Sequence, residues 1–181
     1  MRLFVSVLPP AEALEHLSRA VEPLRTAAPP ALRWVPVERW HLTLAFLGEV
    51  PDERLPALAQ ALGEAVLGVP PLDLHVAGGG HFDGRVLWVG LGGSVDALTA
   101  AARRIARAAR AVRVPAERRP FRAHVTLARA RGPAPLAPLA ATLRDYAGPA
   151  WRVDRALLVR SYIGPAPRHE PLVELPFRGE A

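Results

Sequence analysis

The chain has 181 residues, 50% of them hydrophobic and 22% charged, enough to bury a core and to be read as a single domain over 1–181. Cysteine is absent and all 23 basic residues are Arg. This excludes disulfides, thiolate nucleophiles, Cys-ligated metals, Schiff-base chemistry, a P-loop lysine and nucleotide transfer through a lysine. The formal net charge of +6 favours anionic partners such as RNA, DNA or phosphorylated small molecules. No apolar run reaches the roughly 18–20 residues of a membrane helix, and the opening MRLFVSVLPP is short for a signal peptide, so a cytoplasmic protein is expected.

Two periodicities alternate along the chain. RLFVSVLP (2–9) reads as a strand, and Pro10 opens a helix with Leu14, Leu17, Val21 and Leu24 on one face. WVPVERWHLTLAFLG leads into a strand ending at Gly48. Pro51-Asp52 starts a second helix, with Asp52 as N-cap and Leu55, Leu58, Leu62 and Val66 as its apolar stripe. LDLHVAG and RVLWVGL read as strands bridged by the glycine-rich GGGHFDG. Ser94 caps a third helix whose Val95, Leu98, Ala102, Ile105, Ala109 and Val112 face the core, while Arg103, Arg104, Arg107 and Arg110 lie opposite. PFRAHVTLARA is a strand, APLAPLAATLRDY a weaker helix, and WRVDRALLVRSYI and LVELPF are closing strands. The strands are short, and several are joined too tightly for parallel crossovers, so the fold class is α+β with mostly antiparallel sheets.

One internal repeat stands out. His41-Leu42-Thr43-Leu44-Ala45 recurs 83 positions later as His124-Val125-Thr126-Leu127-Ala128. With six His and five Thr in the chain, two such motifs sharing Leu-Ala behind them are not expected by chance. Alternation along a strand sends His and Thr at i and i+2 to one face and the intervening apolar residues into a core. If the two halves are related by an approximate two-fold axis, two imidazoles and two hydroxyls converge on one ligand. The hydroxyls suit the non-bridging oxygens of a phosphate, and the imidazoles suit proton transfer to entering and leaving oxygens. Opening a cyclic phosphodiester needs one base and one acid, and His serves as either near neutrality, with neither metal nor cofactor. Competing readings are a metal site, two structural histidines, and an RNA-binding module without catalysis.

HLTLAFLG and HVTLAR, together with RLFVSVLP, RVLWVGL and SYIGP in the same order, resemble the two-histidine phosphoesterase superfamily. More narrowly they resemble its RNA 2′,3′-cyclic phosphodiesterases, the 2′-5′ RNA ligase family. The resemblance implies a bilobal fold of two mostly antiparallel β-sheets with outer helices, related by a pseudo-two-fold axis across a central groove. It implies hydrolysis of RNA 2′,3′-cyclic phosphate ends to 2′-phosphomonoesters by a monomer, or ATP-independent 2′-5′ ligation at the same site. His41 matches the family's proton donor and His124 its proton acceptor. Thr43, Thr126 and Arg129 match phosphate-binding positions, and Phe82 falls in an aromatic region that borders the groove, where it packs or stacks on a base. Strand parity alone sends Arg129 to the face opposite His124, so its role requires the strand to end or twist there. Ala123 and His169 stand where the family usually has Pro and Tyr. His81, in the glycine-rich segment, is the other histidine that a loop brings toward a ligand.

Overall fold

In the computed structural model, which describes residues 1–180, the chain forms nine strands and four α-helices. In chain order they are β1 (Arg2–Val7), α1 (Ala11–Ala27), β2 (Leu32–Trp34), β3 (Leu42–Glu49), α2 (Leu55–Val66), β4 (Leu72–Phe82), β5 (Val86–Gly93), α3 (Val95–Ala111), β6 (His124–Ala130), α4 (Ala137–Thr142), β7 (Trp151–Val153), β8 (Arg155–Tyr162) and β9 (Arg168–Pro176). All the strand pairings are antiparallel, in the order β7-β4-β5-β6-β3-β1-β8-β9, with β2 against β6.

The two expected sheets are therefore one continuous sheet, but barely. β3 and β6 join through a single pair, Leu42 opposite Val125. Those two residues are the repeat equivalents of each other, so a local dyad passes between them. The α2–α3 pair covers the half containing β3 and β9, while α4 and α1 pack on the half containing β4. Core residues come from both halves: Leu17, Leu58, Leu98 and Ile105 from the helices, Leu42, Leu87, Val125 and Leu158 from the strands, all fully buried.

Several local expectations are corrected. Asp52 does not cap α2: Asp52–Arg54 is a single turn of 3-10 helix, and Arg54 occupies the N-cap position. Ser94 stands at the N-cap of α3 without a side-chain capping bond; its carbonyl accepts from the Leu98 N–H at 3.0 Å. The glycine-rich segment is not a loop. β4 runs through it to Phe82, and Asp83, Gly84 and Arg85 make the turn into β5, with Asp83 and Gly84 at positive φ (50° and 62°) and the Arg85 N–H donating to the Phe82 carbonyl at 2.8 Å. Gly80 is needed because a Cβ there would collide with the Trp88 ring on β5. The closing strand divides at Asp154 into β7 and β8, and β9 begins at Arg168, earlier than its apolar run.

Candidate active site

Each half presents its motif in the same way. Trp40, buried and donating from Nε1 to the Val35 carbonyl at 3.0 Å, anchors the chain just before His41. His41 Nδ1–H then donates to the Arg39 carbonyl at 2.7 Å, and His124 Nδ1–H donates to the Arg122 carbonyl at the same 2.7 Å. A carbonyl only accepts, so each neutral ring carries its proton on Nδ1 and keeps the Nε2 lone pair free. Arg39 and Arg122 are themselves 83 positions apart. The repeat thus extends upstream to Arg-x-His-x-Thr-Leu-Ala, a match not used in the sequence reading.

The antiparallel register about Leu42 and Val125 sets His41 level with Thr126, and Thr43 level with His124. All four residues, with Arg39 and Arg129, line one cleft of about 580 Å³. Arg129 reaches it through a β-bulge. Between β5 and β6 the register jumps from Leu87–Ala128 to Trp88–Thr126, leaving Leu127 as the extra residue. Leu127 and Ala128 are both buried, and parity is restored for Arg129. The first half has the same bulge: Ser6 pairs with Thr43 and Val5 with Ala45, leaving Leu44 extra. The counterpart of Arg129 is then Phe46, a 44% exposed aromatic that also lines the cleft and that the sequence reading missed.

Aromatic collars hold both imidazoles. His41 lies 4.9 Å from the Phe4 ring and 5.0 Å, edge-on, from His169. His124 lies 5.0 Å, edge-on, from Phe82 and 6.3 Å from Trp88. Phe82 is thus placed beside a candidate catalytic ring. His81 is exposed and its Nδ1 accepts from the Gly84 N–H at 3.3 Å, closing the hairpin turn.

Burial pushes the His41 imidazolium down to about 4, with the positive neighbours His169, Arg39 and Arg129 adding to the effect and the Arg39 carbonyl opposing it. His124 is lowered by burial and by Arg129, against the Arg122 carbonyl. His169 is lowered by burial and by Arg39. Arg39 has a buried Nε without a partner, and neither Arg39 nor Arg129 is paired with a carboxylate among the described residues. The cleft gathers Arg2, Arg39 and Arg129 against the single carboxylate of Glu117 around two imidazoles whose charged form is disfavoured, a setting suited to an anion and hostile to a cation.

Fold and twin motif define a class in which a dyad-related pair of His-x-Thr strands faces one cleft. The chain belongs to the 2′-5′ RNA ligase superfamily, whose model matches residues 7–163. It is 35% identical over 158 residues to the RNA 2′,3′-cyclic phosphodiesterase of Thermus thermophilus, covering 76% of this chain and 73% of the relative. It is 30% identical over 181 residues to that of Geobacillus stearothermophilus, covering 97% of this chain but 57% of the relative's length. The structure of E. coli LigT complexed with 3′-AMP superposes over 97% of each chain, with a TM-score of 0.79 at 27% identity.

Proposed function

We propose that this protein hydrolyses RNA 2′,3′-cyclic phosphate ends to 2′-phosphomonoesters by paired histidine acid–base catalysis, without a metal. The observation that carries the reading is the duplicated tether: both Nδ1–H groups are tied to backbone carbonyls, leaving two Nε2 atoms for one ligand. Relatives named as RNA 2′,3′-cyclic phosphodiesterases support the substrate class.

In this mechanism the cyclic phosphate is held by the Thr43 and Thr126 hydroxyls and by Arg129, with Arg39 adding charge from the His41 side. His124 Nε2 takes a proton from water as its oxygen bonds to phosphorus. The bond from phosphorus to the ribose 3′ oxygen breaks, and that oxygen receives a proton from His41 Nε2. His41 must be an imidazolium to donate from Nε2, because its Nδ1 proton stays in the hydrogen bond to the Arg39 carbonyl. A bound phosphate anion offsets the two guanidinia and raises the His41 proton affinity toward the working range. Phe46 and Phe82 offer apolar faces for bases at the cleft mouth.

The test is incubation of EDTA-treated protein with a short RNA ending in a 2′,3′-cyclic phosphate, separating 2′- from 3′-monophosphate products. A 2′-phosphate from the wild type but not from His41→Ala or His124→Ala is expected. Loss of activity in chelator would revive a metal mechanism, and RNA binding with no product would favour a binding module.

A further inference from the structure

The catalytic cleft opens, past His124, into a groove of about 1420 Å³ that shares Thr43, His124, Thr126 and Arg129 with it. Arg103, Arg107 and Arg110 of α3 form one wall. The segment after α3 brings Arg118, Arg119 and Arg122 over it and is pinned to β3 by the Glu117 N–H donating to the Phe46 carbonyl at 3.1 Å. The tip of the β4–β5 hairpin, with Phe82 and Arg85, closes the far side.

The charge distribution is lopsided. Nine of the 23 arginines and two of the 17 acidic residues line this groove. The rest of the chain holds 14 arginines against 15 carboxylates and is close to neutral. The protein's positive charge is therefore a property of the groove. Among the described residues, only Arg119 of these nine has a carboxylate partner, Glu117 at 3.2 Å. Arg103, Arg107 and Arg110 are exposed, stand at i, i+4 and i+7, and repel one another without acidic residues at helical spacing to offset them. The helix dipole accounts at most for Arg110, in the last turn, and not for the two in mid-helix. A helix lines up like charges in this way at a cost to itself, and a polyanion removes that cost.

We propose that this groove binds several nucleotides of the single-stranded RNA attached to the cyclic phosphate, so that the enzyme selects oligonucleotide ends over cyclic mononucleotides. At about 1.5 Å per residue, the α3 stripe runs for about 10 Å along the groove, longer than a single phosphate. The aromatic rings of Phe46, Phe82 and Phe121 lie in the same groove, and a charged track with stacking faces suits a flexible single strand rather than a duplex. Length selection rests on the hydrolytic reading above; the binding track does not.

The test compares wild type with Arg103→Gln/Arg107→Gln/Arg110→Gln, and with a charge-matched control, Arg19→Gln/Arg144→Gln/Arg178→Gln, at exposed positions outside the groove. Anisotropy of a labelled twelve-nucleotide single-stranded RNA is read across a salt series, and KM is measured for an oligonucleotide and a mononucleotide 2′,3′-cyclic phosphate. The groove variant is expected to lose about 2 from the log–log salt slope, at about 0.7 per phosphate contact for single strands. Its KM ratio between oligonucleotide and mononucleotide is expected to rise about tenfold, with the control like wild type. An unchanged slope, or an equal loss in the control, overturns the groove whatever the turnover. Equal KM values of wild type for both substrates overturn length selection. A stripe-dependent slope with no turnover supports the groove and overturns hydrolysis.

Discussion

The two halves of the cleft share a scaffold to the level of a single bulged leucine, yet they differ in what surrounds the histidine. His41 sits deeper, against Phe4 and His169, with Arg39 beside it, and its imidazolium is pushed down to about 4. His124 faces Phe82, Trp88 and the arginine-rich groove. Where the second half places Arg129, the first places Phe46. Duplication of the strand supplies two equivalent rings; the collars and the residue after the bulge make them unequal. In the proposed chemistry that inequality separates an acid from a base.

The largest expected effect comes from removing either ring. His41→Ala and His124→Ala should each lower kcat by about a thousandfold or more, with melting temperature little changed, and the double variant should be no worse than the poorer single one. Strictly multiplicative losses would show that the two rings do not act in one step. Next, Arg129→Ala and Phe46→Ala probe the divergent positions. Loss of a charge-assisted phosphate contact should cost about a hundredfold in kcat/KM, whereas loss of the aromatic face should cost about tenfold and fall mainly on KM. Equal kcat losses in both variants would argue against the division of labour.

A third measurement follows the rings themselves by NMR titration. The free His41 should titrate near 4 and move upward when a nucleotide 2′-phosphate is added, and a static value would remove the proposed route to a protonated donor. The smallest effect is on stability. Folded His41 has a lowered pKa, so the unfolded chain binds the proton first as pH falls. Stability is therefore untouched by this titration above about 6.5 and falls as the pH drops from there to about 4, by on the order of 2 kcal/mol after allowing for residual solvent access. His41→Gln should flatten that part of a stability–pH curve measured by denaturant unfolding.

Much of this site was legible in the sequence because the duplication doubled its signal. His41, His124, Thr43 and Thr126 follow from the repeat taken together with strand alternation. Arg39 and Phe46 were equally within reach, since a shift of 83 positions maps them onto Arg122 and Arg129. The bulges at Leu44 and Leu127 were not, because a bulge is a property of two paired strands and appears in neither strand's own periodicity. The hairpin after Phe82 was misread although Asp-Gly is a strong two-residue turn signal; the preceding glycines suggested a loop, when Gly80 in fact makes room for a tryptophan on the neighbouring strand. Similarly, β2 is three residues long and amphipathic over too short a span to register. Asp52 failed as a cap because Pro51-Asp52 begins a tight turn ahead of the α-helix.

Because a dyad passes between Leu42 and Val125, a bare phosphate entering this cleft meets a nearly self-symmetric cage. An imidazole and a hydroxyl stand on either side, and the anion has two almost equivalent ways to sit. In the proposed hydrolysis, the choice of departing ribose oxygen would then fall to the unequal flanks and what they do to the rest of the nucleotide. On this view the product isomer would be a property of Phe46, His169 and Trp88, and of the one-sided grip of Arg129 on the phosphate, rather than of His41 and His124, and mixed 2′- and 3′-phosphates should appear when the two sides are made alike.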